Sequence, residues 1–411
     1  MQSIDTGHAN FEVPPDKDLF VQTDKSLTVL QVLPELVTGG VERTTVDVAR
    51  AIVEAGGMAL VASGGGPLVA DIIAAGGEHY ELPLKSKNPF TMRQNVKALQ
   101  DLAQARSATI VHARSRAPAW SAYFAAKRLG LPFVTTYHGF YKQKSRLKGF
   151  YNSVMARGDR VIANSHFTGR LIAERHPFSA DRITVIQRGS DLDGLAPEAV
   201  SELRKQQLAA SWGLAPGRPV ILQLGRLTGW KGQRVVISAM TELRNRGITE
   251  PVAILAGDAQ GRTGYLNELN QQIEASRIGD QVKLVGHCDD VAAALALSSV
   301  SVVASVEPEA FGRAAVEAQA ADVPVIVSDL GAVPETVLAP PEVDDAERTG
   351  WRVPPGNSVA IADAIEHIFS LAPSERAALL GRARRHVSDK FSVGAMTGAT
   401  LQVYRELLSS R

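Results

Sequence analysis

The chain has 411 residues, and 44 Lys+Arg against 43 Asp+Glu give it a formal net charge of +1. With 45% hydrophobic and 21% charged residues it has ordinary globular composition and length for two or three domains. Its one cysteine, Cys288, excludes an intrachain disulfide framework and a cysteine-based zinc or iron–sulfur site, and suits a reducing compartment.

Residues 1–26 carry five acidic and two basic residues and Pro14-Pro15 with no apolar core, so a disordered tail is expected rather than a signal peptide. From Leu27 onward, short β-branched runs alternate with longer amphipathic stretches. Strands are expected at 27–33, 58–62, 109–112, 133–137 and 160–163, with helices at 41–55 and 117–129 among those between them. The rhythm restarts with strands at 219–224, 251–256, 282–285, 300–304 and 323–327. Continuous apolar runs joined by helical crossovers read as buried parallel strands, which predicts an α/β fold of two units, 27–189 and 218–391. Residues 190–217, with Pro197, Pro216 and a charged helical stretch, read as a linker or hinge. Residues 340–349 read as a surface loop, and 373–411 as two helices separated near Phe391-Ser392. The longest candidate membrane span, 292–306, is broken by serines and falls short of the ~18–20 apolar residues a spanning helix needs.

The near-zero total charge hides an asymmetry. Residues 85–188 hold 19 basic and 4 acidic side chains, a net +15, so the remaining 307 residues sum to −14. That segment is expected to attract anions.

Four motifs carry chemistry. After the first strand, Gly39-Gly40-Val41-Glu42-Arg43 lets the backbone turn into a helix whose first N–H groups can face a phosphate, or is simply a tight turn. The second unit opens likewise with Gly225-Arg226-Leu227-Thr228-Gly229-Trp230-Lys231-Gly232. There Arg226 and Lys231 can converge on one phosphate from two sides. After the strand at 300–304, Glu309-Ala310-Phe311-Gly312 leads into a helix expected to start near Ala310. That helix would carry Glu317 on the same face as Glu309, two turns on. Glu317, set among Val316, Ala318 and Ala320, is expected to point inward and to need a partner such as ligand hydroxyls. The fourth is Thr136-Tyr137-His138-Gly139 at the end of the strand at 133–137.

In this order and spacing, the four motifs together with Lys231-Gly232 and Glu317-Ala318 resemble glycosyltransferase family 4, the retaining GT-B nucleotide-sugar transferases of bacterial envelope and lipopolysaccharide-core type. The resemblance runs from about Leu27 to the C-terminus. It implies two Rossmann-like, doubly wound domains facing a central cleft, with the donor on the C-terminal domain and the acceptor on the N-terminal one. It also implies a C-terminal helix, 392–411, crossing back to the first domain. By the same resemblance Arg226 and Lys231 bind the donor diphosphate, Glu309 the transferred sugar's hydroxyls and Glu317 the nucleotide ribose. The Phe311 and Gly312 amides make a further donor contact, His138 lies near the sugar's C6 hydroxyl, and Gly40, after Gly39, offers an N–H to the β-phosphate. The base would stack along Gly257-Asp258 and Gly286-His287, beside Gly225.

Two positions depart from the family pattern: Ala310 replaces a commoner glycine, and Gln187-Arg188-Gly189 stands where many relatives have Pro-Asn-Gly. Arg188 thereby adds a charge facing the cleft that suits an anionic acceptor or the diphosphate.

Breaking a sugar–diphosphate bond builds negative charge on the leaving group, so preorganised cations and helix N-termini are the largest lever available. A retaining glycosidase needs two carboxyls about 5–5.5 Å apart around the bond. Here Glu309 is expected to orient the sugar, with same-face attack and the acceptor proton passing to a diphosphate oxygen. Asp191-Leu192-Asp193 is the nearest thing to an Asp-x-Asp metal motif, but two basic residues already neutralise the diphosphate, so no metal or other cofactor is expected. His112, followed by Arg114 and Arg116, reads as an acceptor-side residue or a polar strand terminus. Ser165 reads as a helix cap and Cys288 as structural.

Immediately after His138, Lys142, Lys144, Arg146 and Lys148 interleave with Phe140, Tyr141, Phe150 and Tyr151, a pattern suited to anionic lipid headgroups or a phosphorylated glycolipid. No nucleic-acid module accompanies it, so no nucleic-acid partner is expected. The expectation is a cytoplasmic enzyme on the inner face of the membrane. It would move a hexose from a UDP- or GDP-sugar to a hydroxyl of a lipid-linked or lipopolysaccharide-core glycan. A glycogen- or sucrose-type synthase, a nucleotide-sugar epimerase, or a non-catalytic sugar-nucleotide or anionic-lipid binding protein are the alternatives.

Overall fold

The computed structural model describes residues 27–410 except 38, 140 and 142–144. The expected N-terminal tail and the candidates Lys142 and Lys144 therefore lie outside the described residues. The chain divides into two compact units, one ending at Gly189 and resuming at Val393, the other spanning Ser190–Ser392.

In the first unit, strands β1 (Thr28–Val32), β2 (Met58–Ser63), β3 (Glu78–Glu81), β4 (Ile110–Ala113), β5 (Phe133–Tyr137), β6 (Arg160–Ala163) and β7 (Ile183–Val185) form one sheet in the order β3-β2-β1-β4-β5-β6-β7. All neighbours are parallel. The order reverses between β1 and β4, whose register pairs Val32 with Ala113, so the loops after these strands open beside one another at the sheet's carboxyl edge. Alternate residues of β1 feed opposite faces. Leu30 and Val32 join a core with Leu99, Trp120, Phe133 and Met155, while Val29 joins Val46, Ile52, Ile110 and Ile162 on the other side. The helix Val393–Ser409 completes that second face with Met396, Leu401, Tyr404 and Leu407.

The second unit repeats the plan with β8 (Val220–Leu224), β9 (Val252–Ala256), β10 (Val282–Gly286), β11 (Val300–Val303), β12 (Val325–Ser328) and β13 (Trp351–Val353), all parallel in the order β10-β9-β8-β11-β12-β13. Its switch point lies between β8 and β11. Ile221, Leu255, Val302 and Ile326 face one core, and Leu222, Ile254, Val303 and Val327 the other.

Three differences from the sequence reading stand out. Strands β3, β7 and β13 were not expected; each lies at a sheet edge with one paired neighbour and is only three or four residues long. Residues 190–217, read as a hinge, fold onto the second unit: Trp212 and Leu214 join its core, and Arg204 on the helix Glu202–Ser211 pairs with Asp290 at 2.7 Å. The helix expected from Ala310 is Arg313–Ala320, so Glu309 is not on the helix that carries Glu317.

Candidate active site

The carboxyl ends of β8, β9 and β11 gather the charged motifs of the second unit. After β8, Leu227 N–H donates to the Asp258 carbonyl at 3.0 Å, and Gly225 N–H to the Ala256 carbonyl at 2.9 Å. After β9, Gly257 N–H donates to the Gly286 carbonyl at 2.7 Å. A Cβ on Gly257 would lie 1.9 Å from the Gly225 carbonyl oxygen, so glycine is what lets the loops bearing Arg226 and Asp258 lie against each other. The Asp258 carboxylate caps its own turn, accepting the Gln260 N–H at 2.7 Å. Gly286 and His287 are exposed at the next turn, with the His287 ring 3.1 Å from Asp289.

Lys231 and Glu309, 78 positions apart in the sequence, meet. The Lys231 ammonium lies 2.8 Å from Glu309 Oε2, with side chains only 17% and 13% exposed. The other carboxylate oxygen accepts the Ser305 hydroxyl. The Lys231 carbonyl accepts from Gln223 Nε2 at 2.7 Å, and its ammonium lies 4.6 Å from the Trp230 ring centroid. The Glu309 backbone bridges to Gly331, and its carbonyl accepts the Ala332 N–H at 2.9 Å. A half-buried cation and anion are thus held on rigid strand ends with every carboxylate oxygen engaged. Arg226 is exposed nearby in sequence, and no described residue forms an ion pair or side-chain hydrogen bond with its guanidinium.

Phe311 is buried against Phe391, ring centroids 5.7 Å apart. No described group accepts the N–H groups of Phe311 or Gly312, which precede the helix Arg313–Ala320 and add to its positive end. Glu317 is buried as expected, but its partner is within the chain: the Arg313 Nε donates to it at 2.6 Å.

In the first unit the carboxyl ends of β4 and β5 and the segment after β7 bring together cations and imidazoles. His112 is fully buried and not a solvent-facing terminus; Nδ1 lies 2.6 Å from the Tyr404 hydroxyl and Nε2 2.7 Å from Thr136 Oγ1. Arg114 is buried as well. Its Nε donates to Gln31 Oε1 at 2.6 Å. Burial, and then the charge of Arg114, hold His112 well below the usual imidazole range. His138 is depressed in the same way by burial, Arg114 and Arg188, and its Nε2 is buried without a partner among the described residues. Both rings are therefore neutral near pH 7.

The Arg188 guanidinium rests on Gly40, where a Cβ would come within 2.0 Å of it. The helix Gly40–Glu54 begins there with Gly39 as its cap and no side-chain cap bond, while Glu42 folds back over Gly39. Arg146 and Lys148 are exposed on the helix Arg146–Ser153, capped by Ser145. Ser165 caps the helix His166–Arg175 at Thr168 N–H, 3.1 Å, which agrees with its structural reading.

Ser305, Gln223, Arg114 and Tyr404 were missed as site or supporting residues. Ser305 stands four before Glu309 and Arg114 two after His112, but nothing in sequence marks Tyr404, 292 positions from the ring it meets.

Among the described residues no cluster of three or more His, Cys, Asp or Glu is placed to hold a metal, and no helix is long and apolar enough to cross a membrane. A model described as Glycosyltransferase Family 4 matches residues 38–193, and one described as Glycosyl transferases group 1 matches 204–386. A solved glycosyltransferase from Rickettsia africae is 33% identical with a TM-score of 0.84, covering 94% of this chain and 99% of that one. Anabaena HepE, solved with UDP-glucose, is 22% identical with a TM-score of 0.75 over 94% of this chain and 100% of that one, a likeness of fold. The D-inositol 3-phosphate glycosyltransferase of Jonesia denitrificans is 26% identical over 56% of this chain, which spans 57% of that relative's length. The two Rossmann-like units are those of the GT-B glycosyltransferases, and the chain belongs to glycosyltransferase family 4.

Proposed function

We propose that the chain transfers a hexose from a nucleoside-diphosphate sugar to a hydroxyl of an anionic acceptor, a lipid-linked or lipopolysaccharide-core glycan, at the cytoplasmic face of a membrane. The observation that carries the reading is the Lys231–Glu309 pair at the strand ends of the second unit, with Arg226 exposed on the neighbouring loop. Lys231 and Arg226 take the donor diphosphate, and Glu309, released from Lys231 when the diphosphate arrives, turns its carboxylate to the sugar hydroxyls. The Phe311 and Gly312 amides face the donor, and Glu317 exchanges Arg313 for the ribose. Gly257, Asp258, Gly286 and His287 flank the base. HepE was solved with UDP-glucose, which supports a nucleotide sugar as donor.

The reaction needs cations at the leaving group, which the Arg226–Lys231 pair supplies. The bond from the anomeric carbon to the diphosphate breaks, the acceptor oxygen takes its place on the same face, and the acceptor proton moves to the departing diphosphate oxygen. Same-face attack retains the anomeric configuration, and because the stabilising charge comes from side chains, turnover is metal-independent.

The acceptor side follows from the +15 of residues 85–188 and from Arg188 lying on Gly40. Relatives named D-inositol 3-phosphate glycosyltransferases support a phosphorylated acceptor. Solved neighbours that include a sucrose-phosphate synthase keep a soluble sugar-phosphate acceptor as the second reading.

A panel of UDP- and GDP-sugars, scored by thermal shift and donor hydrolysis with and without EDTA, tests the donor half. One nucleotide sugar should stabilise the protein and be hydrolysed in EDTA. Loss of hydrolysis in EDTA with rescue by Mn²⁺ overturns metal independence, and no response to any nucleotide sugar overturns the transferase reading.

A further inference from the structure

A second charged concavity lies at the opposite end of the first sheet from His138 and Arg188. It is a cavity of about 330 Å³ lined by Tyr123, Lys127, Phe133, Arg157, Phe178 and Arg182. Phe133 begins β5, and Arg157 and Arg182 shortly precede β6 and β7. Ligands of doubly wound sheets bind at carboxyl strand ends, so this amino-end cavity is separate from the donor and acceptor groups already described.

Two of its three cations, Arg157 and Lys127, are weakly spent. The Arg157 guanidinium is held by rings, 5.6 Å from Phe178, 5.7 Å from Trp120 and 6.0 Å from Phe150. Among the described residues its guanidinium has one hydrogen bond, to Ser153 Oγ, long at 3.4 Å. No described carboxylate pairs with Arg157 or Lys127; the latter reaches only the Tyr123 hydroxyl, at 3.3 Å. Arg182 donates to the Gly158 and Phe178 carbonyls and lies 3.8 Å from Asp181. The one carboxylate in the lining, Asp159, accepts the Phe133 N–H at 2.8 Å. Three cations against one engaged carboxylate favour an anion with several acceptor oxygens.

The same cluster continues outward into an apolar face. Trp120 stacks on Phe150 with centroids 5.2 Å apart, tying the helix Arg116–Leu129 to the helix Arg146–Ser153. On the latter, Leu147 and Phe150 share a face and are 85% and 62% exposed, with Arg146 and Lys148 beside them. A soluble anion would give no reason to leave these two side chains in water. A bilayer interface does, because it takes up the apolar face and its phosphates meet the flanking cations.

We propose that the Lys127–Arg157–Arg182 cavity binds the headgroup phosphate of an anionic phospholipid while Leu147 and Phe150 enter the acyl boundary beside it. The first unit then docks on the membrane by the paired helices Arg116–Leu129 and Arg146–Ser153 beside that cavity, through residues distinct from those that take the donor. This rests on the reading of the enzyme as one that works at a lipid surface.

Flotation of the full chain with vesicles of phosphatidylcholine, alone or with phosphatidylglycerol, tests it. The protein should float only with the anionic vesicles. Leu147→Ser, whose side chain is already in solvent, should weaken partitioning about tenfold or more. Arg157→Gln should remove most of the preference for phosphatidylglycerol. Equal flotation with both vesicles, no flotation, or wild-type behaviour of both variants overturns the proposal. Release of the bound protein by millimolar glycerol phosphate assigns the cavity to a soluble phosphate and overturns the lipid assignment. Donor hydrolysis measured without vesicles reports on the transferase reading by itself, so failure of one is told apart from failure of the other.

Discussion

A half-buried lysine and glutamate joined at 2.8 Å can be a structural pair or a loaded site, and the two make different predictions. Removing one partner of such a pair leaves an uncompensated charge, at a cost of roughly 3 kcal/mol. Lys231→Ala should therefore lower the melting temperature and also lower turnover by about 100-fold or more, the scale for loss of a preorganised charge at a leaving group. Adding Glu309→Gln removes the stranded charge, so the double variant should regain much of the lost stability without regaining turnover. Recovery of both together would make the pair structural only. The motif residues were legible because glycine turns and charges at strand ends declare themselves in sequence. Ser305 and Gln223 were not, because their roles depend on how two loops fold against each other. The backbone approach at Gly257 gives a sharper case, since its Cβ would collide with a carbonyl and not with a movable side chain. Gly257→Ala should cost about 1–3 kcal/mol and weaken nucleotide-sugar binding, measured by melting and by titration with the donor that emerges from the screen.

Elements read well wherever burial was two-sided. The run Val-Ala-Ile-Leu-Ala of β9 is buried throughout and has paired neighbours on both sides, so apolar continuity marks it. The sequence Glu-His-Tyr-Glu of β3 has one neighbour and no apolar run, and only the sheet beside it makes it a strand. The helix expected at Ala310 starts three residues later because Glu309 is drawn into a bridge with Gly331 and the chain needs Ala310 to Gly312 to turn from there. On the helix Pro373–Phe391, His386 packs edge-on to Phe391 at 5.5 Å with its Nε2 buried, and burial lowers its pKa to about 4. A histidine whose folded value lies below its unfolded value of about 6.5 contributes nothing above that pH and destabilises increasingly as pH falls toward 4. The shift corresponds to about 3 kcal/mol at the acid end. Melting temperature should therefore drop on acidification from pH 6.5 to 4, and His386→Phe should flatten part of that drop while His112 and His138 maintain the rest. An unchanged slope in the variant would show that His386 is not buried neutral.

At the scale of the molecule, one fold is written twice along the chain and is followed by a helix that belongs to the earlier copy. The repeating strand–helix rhythm made the duplication readable, whereas the home of the last helix depends on contacts such as Tyr404 with His112 that no local pattern announces. The chain leaves the first unit at Gly189 and returns at Val393, and Ser190 N–H donates to the Phe391 carbonyl at 2.8 Å where the two passages run together. Truncation after Ser392 removes Met396, Leu401, Val403, Tyr404 and Leu407 from the first core. At about 1.5–3 kcal/mol for each fully buried side chain, this loss rivals the whole stability of an ordinary domain. It also strips the Tyr404 hydroxyl from buried His112. The second unit keeps Phe391 and its own two cores, so calorimetry should show its transition persisting while that of the first unit disappears. Fluorescence can assign the transitions, because Trp120 lies in the first unit and Trp212, Trp230 and Trp351 in the second. Retention of both transitions would mean that the last helix only decorates the first unit, and loss of both would mean that the two units do not fold independently.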